Sequence, residues 1–164
     1  MKSELNKNIK LDRQSLELIS LFNNISGAVI KDCILYNTPQ YSDDEVIIFL
    51  VKKDDVGKAI GKNGEHVKDL TSKLNKKIDV IPYSDHLERF IKYILNTTKN
   101  SIRVKNIEIK EGRNEKRTVI ITVRPQDRGK AIGKDGTMIK KVKMLVTRHF
   151  DVDNVIIDTR PLNN

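Results

Sequence analysis

Apolar positions along the chain switch between a helical and a strand-like rhythm, and the whole succession of rhythms occurs twice. Within residues 11–27, Leu16, Ile19 and Phe22 recur with further apolar neighbours at helical spacing. Asp12 stands where an N-cap belongs and Gly27 where a helix stops. GAVIKDCILY (27–36) and EVIIFLVK (45–52) are rich in β-branched and apolar residues and predict two strands, with NTPQYSDD as the turn of a hairpin. A short helix, a glycine turn, a longer helix over roughly 64–75 and a strand KIDVIPY (77–83) follow.

The second pass repeats the first. DHLERFIKYILNTTK (85–99) carries an apolar stripe of Leu87, Phe90, Ile91, Ile94 and Leu95. SIRVKNIEIK (101–110) and RTVIITVR (117–124) predict a hairpin turning at EGRNEK. A helix over roughly 136–149 and a strand DNVIIDT (153–159) close the copy. The fold class is therefore α+β, as two tandem units, each a three-stranded sheet packed with helices. The expected divisions are a flexible N-terminal arm over 1–10, a first unit over 11–83, a second over 84–160 and a frayed end over 161–164. Only Pro82, Tyr83 and Ser84 join the units, too short a stretch for a flexible linker, so a fixed relation and one continuous surface are expected.

The repeat is sharpest at a glycine phrase. GKAIGKNG (57–64) returns as GKAIGKDG (129–136), and the alignment extends to DDVGKAIGKNGEHVKDL against QDRGKAIGKDGTMIKKV. Gly57 and Gly129 are expected where a Cβ is excluded by packing or by unusual dihedrals. Gly61-Lys62-Asn63-Gly64 and Gly133-Lys134-Asp135-Gly136 join the short helix to the long one, with glycines that let a ligand come near the backbone. The next helix starts at the second glycine, so its first amides can face a phosphate, and Lys62 and Lys134 add positive charge. Neither the nucleotide-hydrolase phosphate loop G-x-x-x-x-G-K-[ST] nor the dinucleotide fingerprint G-x-G-x-x-G fits.

Composition narrows the function. Apolar residues make up 38% and charged residues 32% of 164, which suits a folded chain. No apolar stretch approaches the ~20 residues of a membrane span. MKSELNKNIK lacks the apolar core of a signal peptide, so no membrane association and a cytoplasmic location are expected. The net charge of +9 raises the odds of a polyanionic partner. It is uneven: residues 1–83 hold 13 Lys/Arg against 12 Asp/Glu, and residues 84–164 hold 18 against 10. Cys33, the single cysteine, reads as a buried small hydrophobe. His66, His86 and His149 are far apart without metal-ligand spacing, so no metal, no cofactor and no enzymatic activity are expected. Asp54–Asp55 and Asp127 read as helix caps, and His66, in the first turn after GKNG, as a contact to that polyanion or an exposed helical residue.

I-G-x-x-G between two apolar helices resembles the signature of KH domains, and the order of elements is similar to their type II, prokaryotic form. Two such domains joined without a linker resemble the archaeal NusA-like family of transcription termination/antitermination factors over roughly residues 10–159. The resemblance implies that residues 61–64 and 133–136 clamp backbone phosphates of single-stranded RNA. It also implies that bases lie in a groove beside each loop. Its candidates are Val56, Ala59, Ile60, Val67, Ile78 and Val80 in the first domain, and Ala131, Ile132, Ile139, Val155 and Ile157 in the second. The apolar pattern leaves open which of these face a groove, and favours the core for most. Lys58, Lys73, Lys76, Lys77, Lys130, Lys140, Lys141 and Lys143 are candidate outlying phosphate contacts or simply a solvated surface; Lys99 and Arg103 carry less. With no Trp, four Phe and four Tyr, an aromatic stacking platform is not expected.

The 164 residues leave no room for the polymerase-binding and S1 domains of bacterial relatives, so their pausing role is not expected to transfer. The expected partners are single-stranded RNA and RNA polymerase or the transcription complex. A ribosome-associated or RNA-processing KH protein is the alternative, and an adaptor with an acidic protein partner the reading from another class.

Overall fold

The computed structural model describes residues 5–37, 45–96 and 101–160. The hairpin turn expected over 38–44, Lys2, Lys99 and the end expected to fray at 161–164 lie outside the described residues. The chain divides into two compact units, Lys10–Ser84 and Asp85–Asn164 with Met1–Ile9.

The first unit begins with α1 (Arg13–Ser26), held by the two signals read from sequence. The Asp12 carboxylate accepts the Ser15 amide at 2.7 Å, and Gly27, at φ 73°, turns its own amide back to Asn23. Next come β1 (Ile30–Asn37), β2 (Glu45–Lys52), α2 (Val56–Ile60), α3 (Glu65–Leu74) and β3 (Lys77–Tyr83). β2 is the central strand, antiparallel to β1 and parallel to β3. Pro82 lacks an amide to donate, and its place on an edge strand accommodates that. Alternate residues Ile47, Phe49 and Val51 of β2 join Phe22 of α1, Ala59 of α2 and Leu70 of α3 in one core. The rings of Phe22 and Phe49 meet edge-on with centroids 4.7 Å apart. Both are fully buried, and truncating either to alanine would cost about 3–5 kcal/mol. Cys33 is buried at 2% exposure beside them.

The second unit repeats this order with α4 (Leu87–Leu95), β4 (Val104–Glu111), β5 (Arg117–Val123), α5 (Arg128–Ile132), α6 (Thr137–His149) and β6 (Asn154–Asp158). Its strand order and directions are those of the first unit. Even the irregularity near the start of the hairpin recurs, between Ile30 and Asp32 in one copy and Val104 and Asn106 in the other. All five stripe residues of α4 are fully buried, and Phe90 packs within 6.0 Å of the Phe150 ring.

One expectation fails at the N-terminus. The opening decapeptide reads as a free arm, but residues 5–7 lie antiparallel to residues 149–151 of the second unit. The Lys7 amide donates to His149 O at 2.9 Å, the Asp151 amide donates to Leu5 O at 2.6 Å, and the Lys7 ammonium donates to Thr147 O at 2.9 Å. The physical reason is the end of α6, whose last carbonyls run out of helical donors and accept a strand amide and a cation.

Candidate nucleic-acid interface

Each glycine phrase folds as a short helix, a single turn of 3-10 helix and the start of a long helix. Gly61 (φ 79°, ψ 171°), Asn63 (56°, 25°) and Gly64 (73°, 19°) have counterparts in Gly133 (77°, 168°), Asp135 (54°, 28°) and Gly136 (75°, 17°). No angle differs between copies by more than 3°. Asn63 and Asp135 are left-handed, a conformation that asparagine and aspartate tolerate better than other side chains. Asp135 is thus accounted for by backbone conformation, which the glycine spacing alone did not reveal. Lys62 and Lys134 are exposed at the turn.

The amides of the loop are partly committed. Those of Gly64 and Glu65 donate to Gly61 O and Lys62 O, and those of Gly136 and Thr137 donate to Gly133 O and Lys134 O. The first amide of each long helix therefore points into its own turn, not outward as the helix-end reading expected. The glycines also divide into two kinds. A Cβ on Gly61 would stand 2.7 Å from His66 Nδ1, and one on Gly133 2.7 Å from the Met138 amide nitrogen. Gly57 and Gly129, expected to need their missing Cβ for packing or dihedral reasons, have no positive φ and no neighbour within 4 Å of where a Cβ would sit. Both lie on exposed helical backbone.

The candidate groove residues separate by burial. Ala59 and Ala131 are fully buried and Val155 is 3% exposed, so these three belong to the cores and line no surface. Val56, Val67, Ile78 and Val80 are half-buried and pack on the first core, and Ile60, Ile132, Ile139 and Ile157 are half-buried. The lysines separate by partner. Lys73 pairs with Asp69 at 3.1 Å and Lys76 with Glu45 at 2.6 Å, so neither stands as an uncompensated cation for phosphate. Lys58, Lys77, Lys130 and Lys143 are exposed, and Lys141 is half-buried. Lys140 is not outlying: its ammonium reaches Asp135 O at 3.3 Å, and its Cε lies 3.7 Å from the missing Cβ of Gly136. Lys68 holds the same place, 3.9 Å from that of Gly64. Sequence reasoning passed over Lys68, although the aligned repeat sets it opposite Lys140.

Other candidates have structural employment. Asp55 and Asp127 make no side-chain cap, contrary to expectation; they clip the start of a neighbouring strand instead. Asp55 accepts the Val29 amide at 2.8 Å, and Asp127 accepts the Arg103 amide at 3.0 Å and Arg124 Nε at 2.7 Å. The Arg124 hydrogen bond, then the Arg103 amide, hold the Asp127 carboxyl below its ordinary range. His66 folds back, with Nδ1 2.8 Å from Lys58 O. His86 meets Asp85 at 2.9 Å, and His149 is buried against Phe90. Among the described residues no three His, Cys, Asp or Glu are grouped to hold a metal ion, and no helix is long and apolar enough to cross a membrane.

Comparison with known proteins places this geometry. A family profile described as the NusA-like second KH domain matches residues 87–159, and a KH domain profile matches residues 18–114. The probable transcription termination protein NusA of Methanococcus vannielii is 38% identical over 147 residues, covering 90% of this chain and 78% of that protein. Its namesake in Thermoplasma acidophilum is 28% identical over 94% of this chain and 98% of its own. The crystal structure of APE1850 superimposes with a TM-score of 0.78 at 31% identity, covering 90% of this chain and all of that one.

Proposed function

The chain belongs to the NusA-like family of KH-domain proteins, and from that premise we propose that its two glycine loops are the clamps by which it holds RNA. As a member of the family it binds RNA and acts in transcription termination/antitermination. The finer reading concerns where and how. The observation that supports it is the pair of loops whose backbone angles agree within 3°, each with an exposed lysine in the turn. KH loops of this G-x-x-G form clamp the backbone of unpaired nucleotides. In this chain Lys62 and Lys68, and Lys134 and Lys140, supply cations around each loop. Half-buried Ile60, Ile132, Ile139 and Ile157 offer aliphatic contact to bases. The RNA backbone passes close to the exposed main chain of Gly57 and Gly129. The role is binding, with association to the transcription machinery through the transcript.

The test compares anisotropy of a labelled unstructured RNA, a duplex RNA and an acidic protein with the wild-type chain and with two variants, K62D/N63D and K134D. Aspartate at 63 keeps a residue type that tolerates the left-handed turn, so the fold is expected to persist. The single strand should bind best and both variants should bind it weakly. Preference for the acidic protein would favour the adaptor reading. Unchanged RNA affinity in folded variants would leave the loops as turns only.

A further inference from the structure

The two loops share a backbone but are not held in the same way. In the first, the His66 ring lies against the position a Cβ of Gly61 would take, with Nδ1 at 2.7 Å and Cγ at 2.8 Å from it. The ring reaches across the loop to Lys58 O, 2.8 Å away, in the last turn of α2. A carbonyl only accepts, so Nδ1 carries the proton, and the imidazole supplies a donor where a helix end runs out of amides. Nε2 is left on the outer side, 3.7 Å from Glu65 Oε1. In the second loop the aligned residue is Met138, whose thioether has no hydrogen to donate. There Gly133 is crowded by Met138 backbone and Thr137 Oγ1 instead.

We propose that His66 is a positioning residue of the first loop: its ring latches α3 to α2 across Gly61 and fixes the Lys62–Gly64 turn before RNA arrives. This rests on the reading of the loops as RNA clamps. Ordering a loop on binding costs conformational entropy, and a loop ordered beforehand avoids that loss. The first loop, in the nearly neutral half of the chain, thus gains affinity through rigidity. The second, in the strongly basic half, relies more on charge.

Three variants test this in the full chain, with thermal melting as the check on folding. H66M copies the second loop, H66N keeps an N–H donor near the position of Nδ1, and M138H offers the second loop a latch. Without RNA, amide exchange at residues 62–65 should quicken in H66M and stay near wild type in H66N. With a short single-stranded RNA, H66M should bind about three- to tenfold more weakly, the worth of one hydrogen bond. The slope of affinity against salt should not change, because no phosphate-facing cation is removed. H66N should restore most of the loss, and M138H should slow exchange at residues 134–137. Wild-type exchange and affinity in H66M would overturn the proposal, as would H66N behaving like H66M. A wild-type chain that binds no single-stranded RNA, with the exchange difference intact, would instead overturn the clamp reading.

Discussion

Replacing Gly57 and Gly129 by alanine separates what the fold needs from what the RNA needs. Glycine in a helix is less favourable than alanine by about 0.5–1 kcal/mol, because the unfolded chain has more freedom to lose. Nothing lies within 4 Å of either missing Cβ, and neither φ is positive, so no strain or clash offsets the gain. Each substitution should therefore stabilise its unit by up to about 1 kcal/mol, which in a unit of this size raises Tm by roughly 4–8 °C. If the RNA backbone runs against this exposed main chain, the added methyl group stands in its path. Affinity should then fall by about tenfold, or 1.4 kcal/mol, for a displaced contact. The assay pairs calorimetry with RNA anisotropy on G57A and G129A in one buffer. Gly61→Ala is the control with the opposite sign: at φ 79° and 2.7 Å from His66 Nδ1, its methyl group should destabilise the unit. Higher stability with unchanged RNA affinity in both variants would refute the approach of RNA to α2 and α5. Lower stability would refute the reading of the empty space itself.

The remaining predictions address charge, the strap and pH. Asp135→Asn keeps a side chain suited to the left-handed turn and removes a negative charge from the second loop. RNA affinity should rise about two- to fivefold at low salt, and the gain should fade at high salt, as titrations across ionic strength will show. Lys7→Pro removes the amide donor to His149 O and the ammonium donor to Thr147 O. Denaturant unfolding of the full chain should show a loss of roughly 1–3 kcal/mol for the two bonds, where a free arm would show none. The Asp127 carboxyl lies below its ordinary value of 3.8 in the folded chain. Its stabilising contribution is therefore present at neutral pH and lost as pH falls through that lowered value. Asp127→Asn should melt earlier than wild type at pH 7, and the gap should narrow below about pH 4.

Local signals carried the fold well. Asp12 and Gly27 bound α1 as their chemistry requires, and β2 and β3 occupy the stretches 45–52 and 77–83 that the apolar pattern marks. What stayed hidden depends on partners distant in sequence or on backbone angles. The strap joins residues 5–7 to 149–151, a pairing that no periodicity near the N-terminus announces. Lys76, in the bend between α3 and β3, is paired with Glu45 at the start of β2, more than thirty positions earlier in the chain. Ala59 and Ala131 share an apolar character with the other candidate groove residues, and only the packing assigns them to the cores. Asn63 and Asp135 differ in charge, but their shared tolerance of positive φ is what the turn uses. Lys68 is the exception, since aligning the copies already set it against Lys140.

Crosslinking the full chain to a single-stranded RNA of about twelve nucleotides, with every protein site mapped, tests the central claim most directly. KH loops each hold about four nucleotides, so this length can engage both. Crosslinks should concentrate in residues 57–68 and 129–140 and vanish from each segment when its loop lysine, Lys62 or Lys134, becomes aspartate. Crosslinks that fall mainly outside both segments, or that survive both substitutions in a folded chain, would contradict it.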